Sequence, residues 1–393
     1  MLRVLGYIRV QPSDFRDEKS GRLIKGTQGY WAFVPNNLPP KLTITIDLVN
    51  QLSEADRALS ELAGVARTLP NPHLLINPFV RREAVLSSRI EGTQASLSDL
   101  FFFEAASWKE KEVPDVREVH NYVKALEYGL ARLKELPLSL RLIKEIHALL
   151  TKGVRGHTQE PGEFRRSQNW IGPTGCTLME ATYVPPPPKE LMSALDSFEN
   201  YLHSKSDFPP LIKLSFIHYQ FEAIHPFLDG NGRIGRLLIT LLLCAENLLP
   251  QPLLYLSAFF ERYRKEYYAR LLDVSQQGKW KEWVGFFLRG ISSQSRDAIR
   301  RSDLLLALWQ KYRSDLQAAR ASALLLQLVD ELFAFPAINN TIAAQKLSVT
   351  PRSAQLNIEK LLSAGILREA TGKQRNRVYV APEIISIVEE KEV

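Results

Sequence analysis

Ile224-His225-Pro226-Phe227-Leu228-Asp229-Gly230-Asn231-Gly232-Arg233-Ile234-Gly235-Arg236 lies between two apolar, helix-compatible runs, Leu211 to Phe221 and Leu237 to Leu248. Its polar residues therefore sit in a loop between two buried helices. Gly230, Asn231 and Gly232 allow positive φ and leave backbone N–H groups at the start of the following helix, where those donors and the helix dipole favour an anion. Arg233 and Arg236, three apart on one helical face, suit successive phosphates of one ligand. Asp229 supplies a hard oxygen of the kind Mg²⁺ takes, since that ion reaches phosphates through only one or two carboxylates. His225 is suited to removing a proton from an incoming hydroxyl near neutral pH. The bland alternative is a helix stop with turn glycines and solvated arginines. It explains any one residue but not their density between apolar helices. Together they describe phosphoryl or nucleotidyl transfer.

The order His225-Pro-Phe-x-Asp-Gly-Asn-Gly-Arg-x-x-Arg236, with nine fixed positions in twelve, resembles the signature of the Fic family. Members usually transfer AMP from ATP to a protein hydroxyl. The resemblance implies His225 as catalytic base, Asp229 as the Mg²⁺ ligand, and Gly230, Asn231, Gly232, Arg233 and Arg236 as the ATP-phosphate site. A second stretch, Ser87-x-x-x-Glu91-Gly92, puts a hydroxyl and a carboxylate one helical turn apart, with Gly92 as a helix stop. Alone it is a common pattern on solvated helix faces. Beside the first motif it resembles the family's inhibitory motif, which implies that Glu91 pairs with Arg236 in the space of the ATP γ-phosphate.

Between the two motifs, Ala181-Thr182-Tyr183-Val184 runs into Pro185 to Pro188, a stiff extended segment. It resembles the β-hairpin flap with which Fic proteins hold a target over the base, and it implies that Thr182, Tyr183 and Val184 offer a main-chain edge for strand addition. The spacing Gly162…Arg165…Asn169-Trp170 is family-like as well. Downstream, Tyr267-Tyr268 falls where the resemblance implies nucleotide contacts, although aromatics at helical spacing also serve as core. Ser275 stands where members commonly carry Asn, which leaves a nucleotide other than ATP conceivable.

Elsewhere, Gly26 to Pro40 reads as an extended arm, Asp47–Leu69 and 78–91 as amphipathic helices, and 115–150 as two more. A helix over Phe259–Leu272 and another over Trp280–Leu288 complete the catalytic body, and Ser302–Arg320 reads as a charged connector. After it come helices at Leu324–Phe333, Thr341–Leu347 and Thr350–Ala364, then strands Ile366–Arg368 and Arg377–Val380 around a basic turn: a winged helix. Its Arg352, Lys360, Lys373, Arg375 and Arg377 suit phosphate contact, but such domains also dock proteins.

The expected fold is thus mainly α, a Fic-type helical bundle with a small β-hairpin flap and a C-terminal winged helix-turn-helix domain. The expected division is 1–100 for the arm and inhibitory helices, 101–295 for the Fic core, 296–320 for a connector and 321–393 for the winged helix. A net charge of +7 permits DNA contact without requiring it. Two widely spaced cysteines point to a reducing compartment, and with no eighteen-residue apolar run and no signal-peptide pattern the expected location is cytoplasmic. The expected enzyme is a protein adenylyltransferase restrained by its own Glu91, with ATP and Mg²⁺ as its small molecules. AMP removal using Glu91, or a DNA-binding regulator with a vestigial site, are the alternatives. Expected partners are a target protein or the chain itself, and DNA through the winged helix. A homodimer is compatible; a membrane partner is not expected.

Overall fold

Two apolar helices bracket the 225–236 stretch, as the flanking runs predict, and they form part of a mainly helical chain. The computed structural model describes residues 10–16, 20–68, 73–106, 114–154, 160–372 and 376–390. In chain order these form β1 (Gly21–Lys25), β2 (Trp31–Pro35), α1 (Ile46–Thr68), α2 (His73–Ile90), α3 (Leu97–Ala105), α4 (Pro114–Arg132), α5 (Leu140–Leu150) and α6 (Pro188–His203). There follow α7 (Pro210–Ile224), α8 (Asn231–Ala245), α9 (Ser257–Arg262), α10 (Arg264–Gln277) and α11 (Trp280–Ala318). The last are α12 (Ala323–Ala334), β3 (Ala337–Asn339), α13 (Asn340–Leu347), α14 (Pro351–Ser363), β4 (Arg368–Glu369), β5 (Val378–Val380) and α15 (Pro382–Glu389).

The chain divides into two compact units, each made of three segments. The first comprises Met1–Leu59, Lys124–Leu248 and Phe259–Ser292; the second comprises Ser60–Val123, Leu249–Ala258 and Ser293–Val393. This differs from the expected sequential division. The supposed connector is part of α11, a single 39-residue helix in which the expected break between 288 and 302 does not exist. Polar residues in that interval mark one face of a continuing helix, not a linker.

In the first unit α7 is the central element. Nearly all its residues are buried, the pattern of a helix surrounded by others. The Trp283 indole N–H donates to Ser215 O at 2.9 Å, and Trp280 packs edge-on to Tyr219 at 4.7 Å. The arm expected over Gly26 to Pro40 is half of a hairpin, since β1 pairs antiparallel with β2 from Gly21↔Pro35 to Lys25↔Trp31. Pro188, expected in the extended segment, opens α6 at N1, where a missing N–H costs nothing.

The second unit holds the inhibitory stretch and the C-terminal elements. Helix α2 starts at His73, five residues before the expected start, and carries Pro78 inside it. It packs against α12. Helix α3, absent from the sequence reading, starts at a capping box: Ser96 Oγ accepts from Asp99 N, and Asp99 accepts from Ser96 N at 2.9 Å. Buried Glu83 accepts from Tyr122 Oη at 3.1 Å and Ser257 N at 3.2 Å. Arg301, with no exposed side-chain surface, donates to main-chain oxygens of Ile387, Val388 and Glu390 at the end of α15 and pairs with Asp297 at 2.7 Å.

Where a helix-turn-helix is expected, α13 is followed by a turn with Ser348 at φ 53° and by α14. Thr350 caps α14 by accepting from Ser353 N at 3.3 Å, with Pro351 at N1. A third strand that the sequence reading lacks, β3, makes an antiparallel sheet in the order β3-β5-β4. Arg352 and Lys360 are exposed on α14, and Arg377 lies 3.6 Å from Glu369. Lys373 and Arg375 lie outside the described residues. Among the described residues no helix is long and apolar enough to cross a membrane.

Candidate active site

The loop from α7 to α8 turns on two left-handed residues. His225 is the C-cap of α7 at φ 50°, ψ 62°, and Gly230 is the N-cap of α8 at φ 79°. Gly232, expected to share the positive φ, is helical and lies in the first turn of α8. Gly230 has no side chain with which to cap α8, and the first N–H groups of the helix have no intrahelical acceptor. Arg233 and Arg236 follow on α8, both buried. The terminus therefore combines main-chain donors, the positive end of the helix dipole and two guanidiniums.

Asn231 has a different place from the one expected. Its Oδ1 accepts from Phe227 N and its Nδ2 donates to Phe227 O, both at 2.8 Å. A side chain bonded this way closes the loop on itself. Asp229 is half-exposed, takes the N–H of Gly230 at 2.7 Å and lies 3.5 Å from Arg233.

The His225 ring has Nδ1 at 3.3 Å from Glu222 O. A carbonyl can only accept, so this contact puts the proton on Nδ1 and leaves Nε2 as the basic nitrogen. The main chain around His225 is held one carbonyl at a time. Tyr183 Oη donates to Ala223 O at 2.8 Å, and Arg165 donates to Ile224 O and His225 O at 3.3 and 2.9 Å. The Arg165 N–H reaches Pro226 O at 2.9 Å, and Asn169 Nδ2 reaches His225 O and Phe227 O at 3.1 and 2.7 Å. These carbonyls include the ones a helix C-terminus leaves unpaired.

Two buried histidines that the sequence reading passed over complete the scaffold. His147 of α5 accepts from Gly162 N at Nδ1 (2.9 Å), so Nε2 is the donor to Asp229 O (3.0 Å). Its ring stacks on Phe227 at 3.7 Å, and burial pushes its pKa down to about 4. His218 of α7 donates from Nδ1 to Gly235 O at 3.0 Å and accepts from Tyr267 Oη at 2.8 Å. Burial, with Arg236 nearby, pushes it to about 3. Neither could be found from spacing, because a lone histidine on an apolar helix face carries no signal of its own.

Tyr267, expected at the nucleotide, is consequently packed in the core, 1% exposed. Tyr268 is exposed. Tyr263 breaks the expected single helix into α9 and α10. Ser275 is buried too, with its Oγ 2.8 Å from Tyr219 Oη, so its place in the pattern belongs to packing. The expected flap is one antiparallel bridge, Ile171↔Tyr183. Both main-chain groups of Tyr183 are used by Ile171, and Val184 O accepts from Phe33 N at 2.8 Å. Tyr183 and Val184 are buried, so of the expected edge Thr182 alone is partly exposed. In the second unit, Gly92 stops α2 at φ 105° as expected, with Thr93 N reaching Ser88 O at 3.2 Å. Ser87 is buried and Glu91 lies in the exposed turn. Among the described residues no group of three or more His, Cys, Asp or Glu could hold a metal ion.

Residues 49–131 match the model of the Fic/DOC family N-terminal region, and residues 137–243 match that of the Fic/DOC family itself. The chain is thus similar to the Fic/DOC family over two adjoining stretches. Among curated relatives, the protein adenylyltransferase Fic of Aedes aegypti is 32% identical over 182 residues, 45% of this chain and 32% of that protein. That of Drosophila persimilis is 30% identical over 181 residues, with the same shares. The chain thus spans about a third of the length of these relatives. A Fic family protein from Desulfovibrio desulfuricans G20 has a similar structure, with TM-score 0.56 and 19% identity over 88% of this chain and 98% of that one. Fic-1 from C. elegans gives TM-score 0.50 and 21% identity over 65% of this chain and 72% of its own. Both structural likenesses bear on the Fic fold.

Proposed function

We propose that the chain is a protein adenylyltransferase that moves AMP from ATP to a Ser, Thr or Tyr hydroxyl of another protein or of itself. The observation that supports this is the joining of a basic His225 Nε2 and the glycine-capped start of α8 by one short loop. The relatives' printed name, protein adenylyltransferase Fic, supports it. In the reaction the hydroxyl oxygen attacks the α-phosphorus and its proton goes to His225 Nε2. The bond from the α-phosphorus to its bridging oxygen breaks, and pyrophosphate leaves with that electron pair. The N–H groups opening α8, with Arg233 and Arg236, hold the phosphates and meet the charge that grows on their oxygens.

A single half-exposed carboxylate, Asp229, fits Mg²⁺ that arrives with the nucleotide phosphates and not a resident ion caged by protein. Such an ion, when bound, neutralises phosphate charge and orients the leaving group. His225→Ala is expected to lower transfer by ~10²–10⁴-fold, read as label passing from ATP to protein with Mg²⁺ present. A near wild-type rate in that variant overturns the assignment.

The second part of the proposal is restraint by Glu91. A guanidinium that binds phosphate in a bidentate way also binds carboxylate so, and Gly92 ends α2 immediately after this side chain. On this reading Glu91 competes with the γ-phosphate for Arg236, and Glu91→Gly raises transfer by about tenfold or more at saturating ATP, where each tenfold is ~1.4 kcal/mol. Ser87→Ala acts the same way but more weakly, through a neutral hydrogen bond. A fall in rate in Glu91→Gly would point instead to Glu91 as a catalytic group, as AMP removal requires.

A further inference from the structure

Arg165 is 3% exposed, and all its hydrogen bonds go to main-chain carbonyls. Nε donates to His225 O at 2.9 Å, Nη2 to Ile224 O at 3.3 Å and to Pro186 O at 2.6 Å, and Nη1 to Ser167 O at 3.3 Å. A buried cation without a carboxylate partner is costly. What offsets the cost here is the C-terminal end of α7, where the helix dipole and unpaired carbonyls favour positive charge. The guanidinium is pressed toward losing its proton, with a pKa down to about 10 through burial, and it is retained all the same. A neutral amide could satisfy one or two of these oxygens. Only a planar fork with five donors reaches carbonyls on two separate segments at once.

The two segments are the ones the reaction must keep in register. One is the end of α7, where His225 is held in the left-handed conformation that a non-glycine residue adopts only when its surroundings impose it. The other is the proline segment two residues beyond Val184. We propose that Arg165 is a positioning residue for transfer: it sets the distance between the basic nitrogen of His225 and a hydroxyl presented beside Thr182 by tying both main chains to one rigid group. This rests on the transfer reading above. Arg165 touches no reacting atom, and the phosphate end of the site, Gly230 to Arg236, does not depend on it.

The test is Arg165→Lys, which keeps the charge but replaces the fork by a point donor. Since misplacement of ~1 Å costs about 10²-fold, kcat for label transfer from ATP should fall about a hundredfold while the KM for ATP stays within about twofold of wild type. A kcat within threefold of wild type overturns the proposal, as does a loss that falls on the KM for ATP. A crystal structure of the variant supplies a reading without activity: His225 should leave positive φ, or the carbonyls of Ile224 and His225 should turn from their present direction. An unchanged loop also overturns the proposal. If wild type transfers no more label than His225→Ala, the transfer reading fails and the loop geometry alone decides the positioning claim. Should Arg165→Lys not fold, Asn169→Ala removes two contacts to the same loop and is read by the same three measures, with a smaller expected loss.

Discussion

Gly230 and Gly232 stand two residues apart and look alike in sequence, yet they answer to different constraints. Gly230 sits at φ 79° with room around it, its added Cβ meeting Leu150 at 3.4 Å, so an alanine there suffers from backbone conformation and not from collision. Gly232 is helical. Gly230→Ala is therefore expected to cost about 1–2 kcal/mol of stability, and Gly232→Ala to be neutral or to add up to ~1 kcal/mol, both read by urea denaturation. Equal losses at the two positions would show that Gly232 carries a constraint of its own. At this scale the sequence displays which residue types gather, because charge and glycine between apolar runs are visible without a structure. It does not display which of them face the ligand. Asn231 turns inward to Phe227 because two loop groups, one N–H and one C=O, need a partner, and nothing in the spacing distinguishes that from an outward amide. The burial of Tyr267 was hidden for the same reason, its partner His218 lying forty-nine positions away.

At the scale of the element, α5 and α7 each bring one neutral imidazole into the interior behind the site. Burial favours the uncharged ring, so between pH 6.5 and about 4 the folded state carries fewer protons at His147 than the unfolded chain does. Stability must then fall as pH drops through that window. His218, at about 3, adds a loss of the same sign. Replacing His147 with Gln leaves an amide facing Asp229 O but nothing to titrate, so the pH slope between 6.5 and 4 should flatten by up to ~1.4 kcal/mol per pH unit. Denaturation at several pH values reads it, and an unchanged slope would mean that His147 is protonated as easily in the fold as outside it. Phe227, fully buried against the same ring, should cost ~3–5 kcal/mol as Phe227→Ala. Helices α1, α4, α5, α7, α8 and α14 were legible from apolar periodicity and caps. Helix α3 was legible too, in Ser96-Leu97-Ser98-Asp99, and was passed over. The break at Tyr263 and the unbroken α11 were not, because both depend on tertiary packing of an amphipathic face.

At the scale of the molecule, the likeness to the Fic/DOC family was legible from a dozen residues while the division into units was not. A contiguous motif is a local fact. A unit built from three separated segments is recorded only in contacts between residues far apart in the chain, and a composition change near residue 300 was a poor substitute for them. The C-terminal elements belong with α2 and α3: Asn339 Nδ2 donates to Ala105 O at 2.7 Å, and the Ser98 N–H donates to Glu389 at 3.0 Å. Removing residues 321–390 should accordingly leave the second unit poorly folded, seen as hydrogen exchange in α2 and α3 that is fast in the shortened chain and slow in the whole one.

The pairing of α2 with α12 also sets a timetable. About 230 residues separate the end of α2 at Ile90 from the start of α12 at Ala323. A ribosome adding roughly 5–20 residues each second needs on the order of ten to fifty seconds to cover that stretch. Through that interval the apolar face of α2 has emerged while the helix that covers it has not yet been made. The nascent chain thus carries an exposed hydrophobic stripe for longer than most local folding steps take. Slow codons placed between the two helices would lengthen the wait, and holding chaperones would meet this protein at α2 first.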